Sequence, residues 1–142
     1  MNFTDGSWRS NWTAFVQDVA RLHSEGLSDA EISTAFGGQW VRWTGIVTAV
    51  KLDAKYARGV QFEMSRVAVP LASGTVLQAS HLFLNVAADD ADAWRKASPG
   101  DSVSFDGQLV EGSGPFPGIS IAKYDQAHLM LGMVNARVHR IH

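Results

Sequence analysis

The hydrophobic pattern of this chain changes period once, near residue 40, and that change constrains the fold more than any other feature. Before it, Trp12, Phe15, Val16, Val19 and Leu22 fall at i, i+3, i+4, i+7 and i+10, the stripe of an amphipathic helix. After it, apolar residues recur at every second position, as in half-buried strands. The 142 residues therefore divide into a helical extension over 1–39 and a β-rich part over 40–142, one compact domain in all. A chain of this length can bury roughly 70% of its unfolded surface.

Local signals place the elements. Ser10 or Asn11 can cap the first helix, and Gly26 can end it. Ser28-Asp29-Ala30-Glu31 reads as a capping box opening a second short helix, with Ile32 and Phe36 on its apolar side and Gly37-Gly38 at its end. A strand is expected over 40–50, with Gly45 where it can bend. A second, over 58–66, turns Val60, Phe62 and Met64 inward and Gln61, Glu63 and Ser65 outward. A third, over 75–86, turns Leu82, Leu84 and Val86 inward and His81, Phe83 and Asn85 outward. Asp89, Asp90 and Asp92 suit the positive end of a short helix running to Ala97. A fourth strand follows over 101–111, then a Gly- and Pro-rich loop over 112–118. The remaining strand candidates are 119–122 and 133–141.

Charge and composition exclude several classes. Twelve basic against fourteen acidic residues give a net charge of −2, which does not hold DNA by bulk charge. The absence of cysteine excludes disulfides, Cys-ligated zinc and thiol nucleophiles. Met1-Asn2-Phe3-Thr4-Asp5-Gly6 is not a secretion signal, and no apolar run approaches the length of a membrane span, so a cytoplasmic protein with no membrane partner is expected. The charge is unevenly spread. Residues 1–39 carry two cations and five carboxylates, whereas Arg42, Lys51, Lys55, Arg58 and Arg66 face only Asp53 and Glu63 over 42–66.

From residue 40 the order is strand, strand, strand, short helix, strand, strand. With Val41-x-Trp43-x-Gly45-x-Val47 as a bent first strand and Pro99-Gly100-Asp101-x-Val103-x-Phe105-x-Gly107-x-Leu109 as a fourth, the chain resembles the OB-fold superfamily. The resemblance implies a mainly β, α+β fold: a five-stranded Greek-key β-barrel with a short bridging helix, here with an N-terminal helical extension. It leaves open which C-terminal segment is the fifth strand. It also implies a binding face on the outside of strands 2 and 3, flanked by the loops after strands 1 and 4. The residues it brings forward are Gln61, His81 and Phe83 on the strands, Lys51, Lys55, Tyr56 and Arg58 around the first loop, and Phe116 in the second.

Two functions follow as expectations. The first is a non-enzymatic binding module for single-stranded nucleic acid, which needs cations along a groove and aromatic platforms for bases. The second is an assembly protein that meets a protein partner, or a second copy of itself, through its helices and aromatic surface. The outward Phe83 can stack a base, or be covered by the N-terminal helix or a second subunit; covering is favoured because the helical stripe must be buried somewhere, and a helix there closes the cleft. Of the five tryptophans, Trp40 and Trp43 have opposite parity, so one is expected under the N-terminal helices, Trp94 is expected to plug the barrel end, and Trp8 is either a staple before the helix or a free anchor.

Leu22-x-x-x-Gly26-Leu27-Ser28-x-x-Glu31-Ile32 also resembles the first two helices of a helix-turn-helix. Gly37-Gly38 and a β pattern stand where the recognition helix belongs. Catalysis, cofactors and metals find no support. His23, His81, His128, His139 and His142 form no ligand frame, no serine lies in a nucleophile elbow, and the Asp89 cluster lacks the spacing of a calcium loop.

Overall fold

The computed structural model describes residues 7–53, 59–113, 115–123 and 126–142. A 3₁₀ turn, Ser7–Arg9, precedes helix α1, Trp12–Ser24. Asn11 caps α1 by accepting from the Ala14 amide at 3.0 Å, and Gly26, at φ 98°, turns the chain out of it. Helix α2, Asp29–Phe36, opens on the reciprocal Ser28–Glu31 capping box, with both bonds at 3.1 Å.

The rest is mainly strand: β1 Trp40–Lys51, β2 Gly59–Pro70, β3 Val76–Val86, β4 Ser102–Leu109, β5 Gly112–Ser113, β6 Phe116–Pro117, β7 Ile119–Lys123, β8 Ala127–Leu131 and β9 Met133–Ile141. A 3₁₀ turn, Ala88–Asp90, and the short helix α3, Ala91–Trp94, lie between β3 and β4. Among the described residues, seven strands form one mixed sheet, and β5 pairs with β6 in a separate two-stranded one. β1 pairs antiparallel with both β2 and β4, and β2 with β3. β9 lies antiparallel to β4 and parallel to β3 (Leu84 opposite Met133, Val86 opposite Ala136). The hydrogen-bonded circuit β2–β1–β4–β9–β3 thus returns to β2. The start of β3 pairs instead with β8, Leu77 opposite Ala127, and the β7–β8 hairpin extends the sheet from there.

Strand alternation sets the two faces of this sheet. In β1, Val41, Trp43, Gly45 and Val47 are buried, while Trp40, Arg42, Thr44, Ile46 and Thr48 are exposed. A Cβ at Gly45 would come within 2.5 Å of Met64 Sδ and 2.9 Å of Phe62 Cδ1. The glycine therefore lets the inward side chains of β2 cross β1.

The helices pack on this inward side. Trp12 and Phe15 of α1 meet Trp43 with ring centroids 5.2 and 5.0 Å apart, and Phe36 of α2 meets Trp8 edge-on at 5.0 Å. The Trp43 indole donates to the Trp8 carbonyl, and the Trp12 indole to the Ser65 carbonyl, both at 2.9 Å. The expectation that α1 covers the outward Phe83 is corrected here: its stripe is spent on the inner face. The free-anchor reading of Trp8 is corrected too. Trp8 is buried, and the exposed tryptophan is Trp40. Trp94 is fully buried against Phe62, and its indole donates to the Ala136 carbonyl at 2.9 Å.

Other differences have local causes. β2 runs four residues past the expected end because the register shifts between Glu63 and Val67, leaving Ser65 and Arg66 both exposed and breaking the alternation. The acidic run serves strand β9 more than a helix end: Asp89 binds Arg137, and Asp90 accepts from the Val138 amide at 2.8 Å. α3 is correspondingly short. The loop over 112–118 contains the β5–β6 hairpin, and β8 was not anticipated. Among the described residues, no helix is long and apolar enough to cross a membrane.

Ser33 fastens α2 to the sheet. Its buried Oγ accepts from the Ile119 amide at 2.9 Å and lies 2.8 Å from the carbonyls of Asp29 and Ile119, to either of which it can donate. Ser33→Ala strands that amide in the core and is expected to cost about 1–3 kcal/mol by urea denaturation. A loss below about 0.5 kcal/mol would show that the amide finds another partner.

Candidate ligand-binding face

The outer face of β2 and β3 is built by the same alternation that fills the core. Phe62 opposes Leu82 inward, so their neighbours Gln61 and Phe83 oppose each other outward. Phe83 is half-buried, and its ring lies across Gly59: a Cβ there would sit 2.2 Å from Phe83 Cζ. The missing side chain at Gly59 is what lets the ring lie down on the sheet. Next to it, His81 is exposed, and its Nδ1 lies 2.8 Å from Ser80 Oγ.

These residues line a groove of about 850 Å³, bounded by β1 through Thr48 and by β8 through His128 and Met130. Arg66, freed from the ladder by the β2 register shift, lies along it, with Gln78 and Ser80 opposite. Gln78 donates to Gln126, which ties the start of β3 to the approach to β8. No residue of α1 or α2 lines the groove.

Of the eight residues singled out from sequence, the structure brings together Gln61, His81 and Phe83. Lys51 is exposed at the end of β1 but does not line the groove. Phe116 is 79% exposed on β6, also outside the groove. Lys55, Tyr56 and Arg58 lie outside the described residues. Arg42, counted from sequence with the cations of this region, is on the β1–β4 face instead. It gives Asp106 a two-point ion pair at 2.6 and 3.1 Å, and that hydrogen bond raises the guanidinium pKa above its ordinary value. Asn85 turns to the Met133 carbonyl, which its amide reaches at 3.2 Å.

Sequence reasoning counted Arg66 among the cations of 42–66 without placing it on this face, and it missed His128 and Met130. Met130 and His128 belong to β8, whose alternation of Ala127, Leu129 and Leu131 inward with His128 and Met130 outward was a readable signal. The groove lining is mixed, with more apolar than polar surface. It holds one fixed cation, two imidazoles and one half-buried aromatic ring, a set suited to holding a ligand by hydrogen bonds and stacking. Among the described residues, no group of three His, Asp or Glu side chains is placed to hold a metal ion.

Comparison of the chain with protein-family models, with curated proteins and with solved structures finds no match. The groove is therefore read from its own chemistry. Gly59→Ala is expected to lift the Phe83 ring and cost about 1–3 kcal/mol of stability through overpacking, measured by thermal or urea denaturation. A neutral Gly59→Ala would mean that Phe83 does not rest on the sheet.

Proposed function

We propose that the closed strand circuit is an OB-like Greek-key barrel with β9 as its fifth strand, and that the chain is a non-enzymatic binding module. The groove on the outer face of β2 and β3 takes single-stranded nucleic acid in this reading. The observation that carries it is the open groove itself: with the helices committed to the inner face, Phe83, Arg66 and the flanking polar side chains are free to meet a ligand. Phe83 offers a stacking surface, Arg66 a phosphate contact, and Gln61, Gln78, His81 and His128 hydrogen bonds to base edges or sugar.

A second reading has its own observation. Phe116, 79% exposed between Pro115 and Pro117 on the β5–β6 hairpin, is an aromatic anchor of the kind protein interfaces use. On that reading the chain assembles with a protein partner or with itself.

Fluorescence anisotropy with a labelled single-stranded oligonucleotide at about 50 mM salt separates the two. Micromolar binding is expected. Phe83→Ala should weaken it about tenfold, the loss of one stacked base. Arg66→Glu should flatten the dependence of log K on log salt by about 0.7 or more. No binding by the folded wild-type protein would overturn the nucleic-acid reading. A solution mass well above 15.4 kDa that falls to the monomer on Phe116→Ser would favour assembly.

A further inference from the structure

Four of the twelve Lys and Arg residues, Arg9, Arg42, Arg137 and Arg140, lie on a different face from the groove. On the outside of β1, β4 and β9, register aligns three cross-strand rows. The first is Trp40–Gln108–Val134, the second Arg42–Asp106–Arg137, and the third Thr44–Ser104–Arg140. Trp40 is 44% exposed, the most exposed tryptophan among the described residues. It borders a hollow of about 530 Å³ shared with Arg9, Arg42, Asp106 and Arg137. The indole therefore presents part of its apolar face to solvent beside the guanidinium groups of Arg9, Arg42 and Arg137.

The charge there is not balanced. Arg42 is neutralised by Asp106, and Arg137 by Asp89 at 2.8 Å. Arg9 lies over the Trp8 ring at 4.5 Å and has no carboxylate partner among the described residues. Arg140, exposed one row along, has none either. Of the two arginines with no carboxylate partner among the described residues, Arg9 therefore borders the hollow beside the exposed indole and Arg140 lies two cross-strand rows from Trp40 on the same face, while both paired arginines lie on the surface, where an incoming phosphate can compete for them. The complement of such a surface is a ligand that alternates flat rings with negative charges along its length.

We infer that the outer face of β1, β4 and β9 is a second contact surface for single-stranded nucleic acid, with Trp40 stacking a base and Arg9 and Arg140 holding phosphates. This rests on the nucleic-acid reading of the chain but not on the β2–β3 groove. It explains why a groove with a single fixed cation can suffice: the backbone charge is met on the adjoining side of the molecule. Thr48 in the groove and Trp40 in the hollow are on the same outward register of β1, eight residues and about 26 Å apart. A strand longer than one groove-filling segment can reach both.

The test is anisotropy with a deoxythymidine oligomer about thirty nucleotides long, at several salt concentrations, on the full chain. Trp40→Ala should weaken binding about fivefold or more, and Trp40→Phe should retain most of it because a ring remains. Arg140→Glu should flatten the salt slope by about 0.7 or more. Melting temperatures close to wild type certify that the variants fold, and the Trp40→Phe and Arg140→Glu pair carries the test if Trp40→Ala does not. Wild-type affinity and slope in the folded Trp40→Ala and Arg140→Glu proteins, with binding lost in Phe83→Ala, would overturn the second surface and leave the groove reading standing. Loss in the Trp40 and Arg140 variants with Phe83→Ala unaffected would support this surface against the groove. No binding by the wild type would overturn both.

Discussion

The Trp43 side chain is the constraint on which the rest of the structure depends. It points inward from β1, its indole donates to the Trp8 carbonyl, and Trp12 and Phe15 close over its ring. A buried indole N–H without an acceptor is costly, so the chain before α1 is held where its carbonyl can serve. The Trp12 indole makes the same kind of bond to β2, at Ser65. One aromatic cluster thus ties the N-terminal turn, both helices and the first two strands together, and it fixes which side of the sheet the helices occupy.

That choice of side has a functional consequence. A helix with a wide apolar stripe covers whatever surface it packs on. Because the stripe of α1 is spent on the inward residues, the outward ones remain available. They divide into two chemically different regions. The β2–β3 side is nearly neutral and concave, with Phe83 lying on Gly59. The β1–β4–β9 side is flatter, arginine-rich and topped by Trp40. The two share β1, whose outward register runs from Trp40 at one end to Thr48 near the other, so one extended ligand can be followed from one region to the next along a single strand.

Much of the fold was legible because period and capping are local. The change from helical spacing to alternation near residue 40, the Ser28–Glu31 box, and the inward sets Val60, Phe62, Leu82, Leu84, Val103 and Phe105 all agree with the structure. What was not legible is tertiary. Alternation shows that Trp40 and Trp43 face opposite ways, but not which one the helices cover. Whether Trp8 is a staple or a free anchor was not legible either, because nothing local says that its carbonyl is needed by an indole 35 residues away. The candidate site divides likewise. Gln61, His81 and Phe83 follow from strand parity. Arg66 entered the groove through a register shift that interrupts parity, and His128 and Met130 came from a strand reached by a parallel pairing no local pattern encodes.

The helices close the inner side and leave the outer face of β2 and β3 open. Amide hydrogen exchange, with and without saturating single-stranded oligonucleotide, tests the proposed binding at that face most directly. Added protection is expected in 59–66 and 78–85, with no change in Trp12–Ser24, which the core already protects. Protection that appears on α1 while β2 and β3 stay unchanged would contradict binding there.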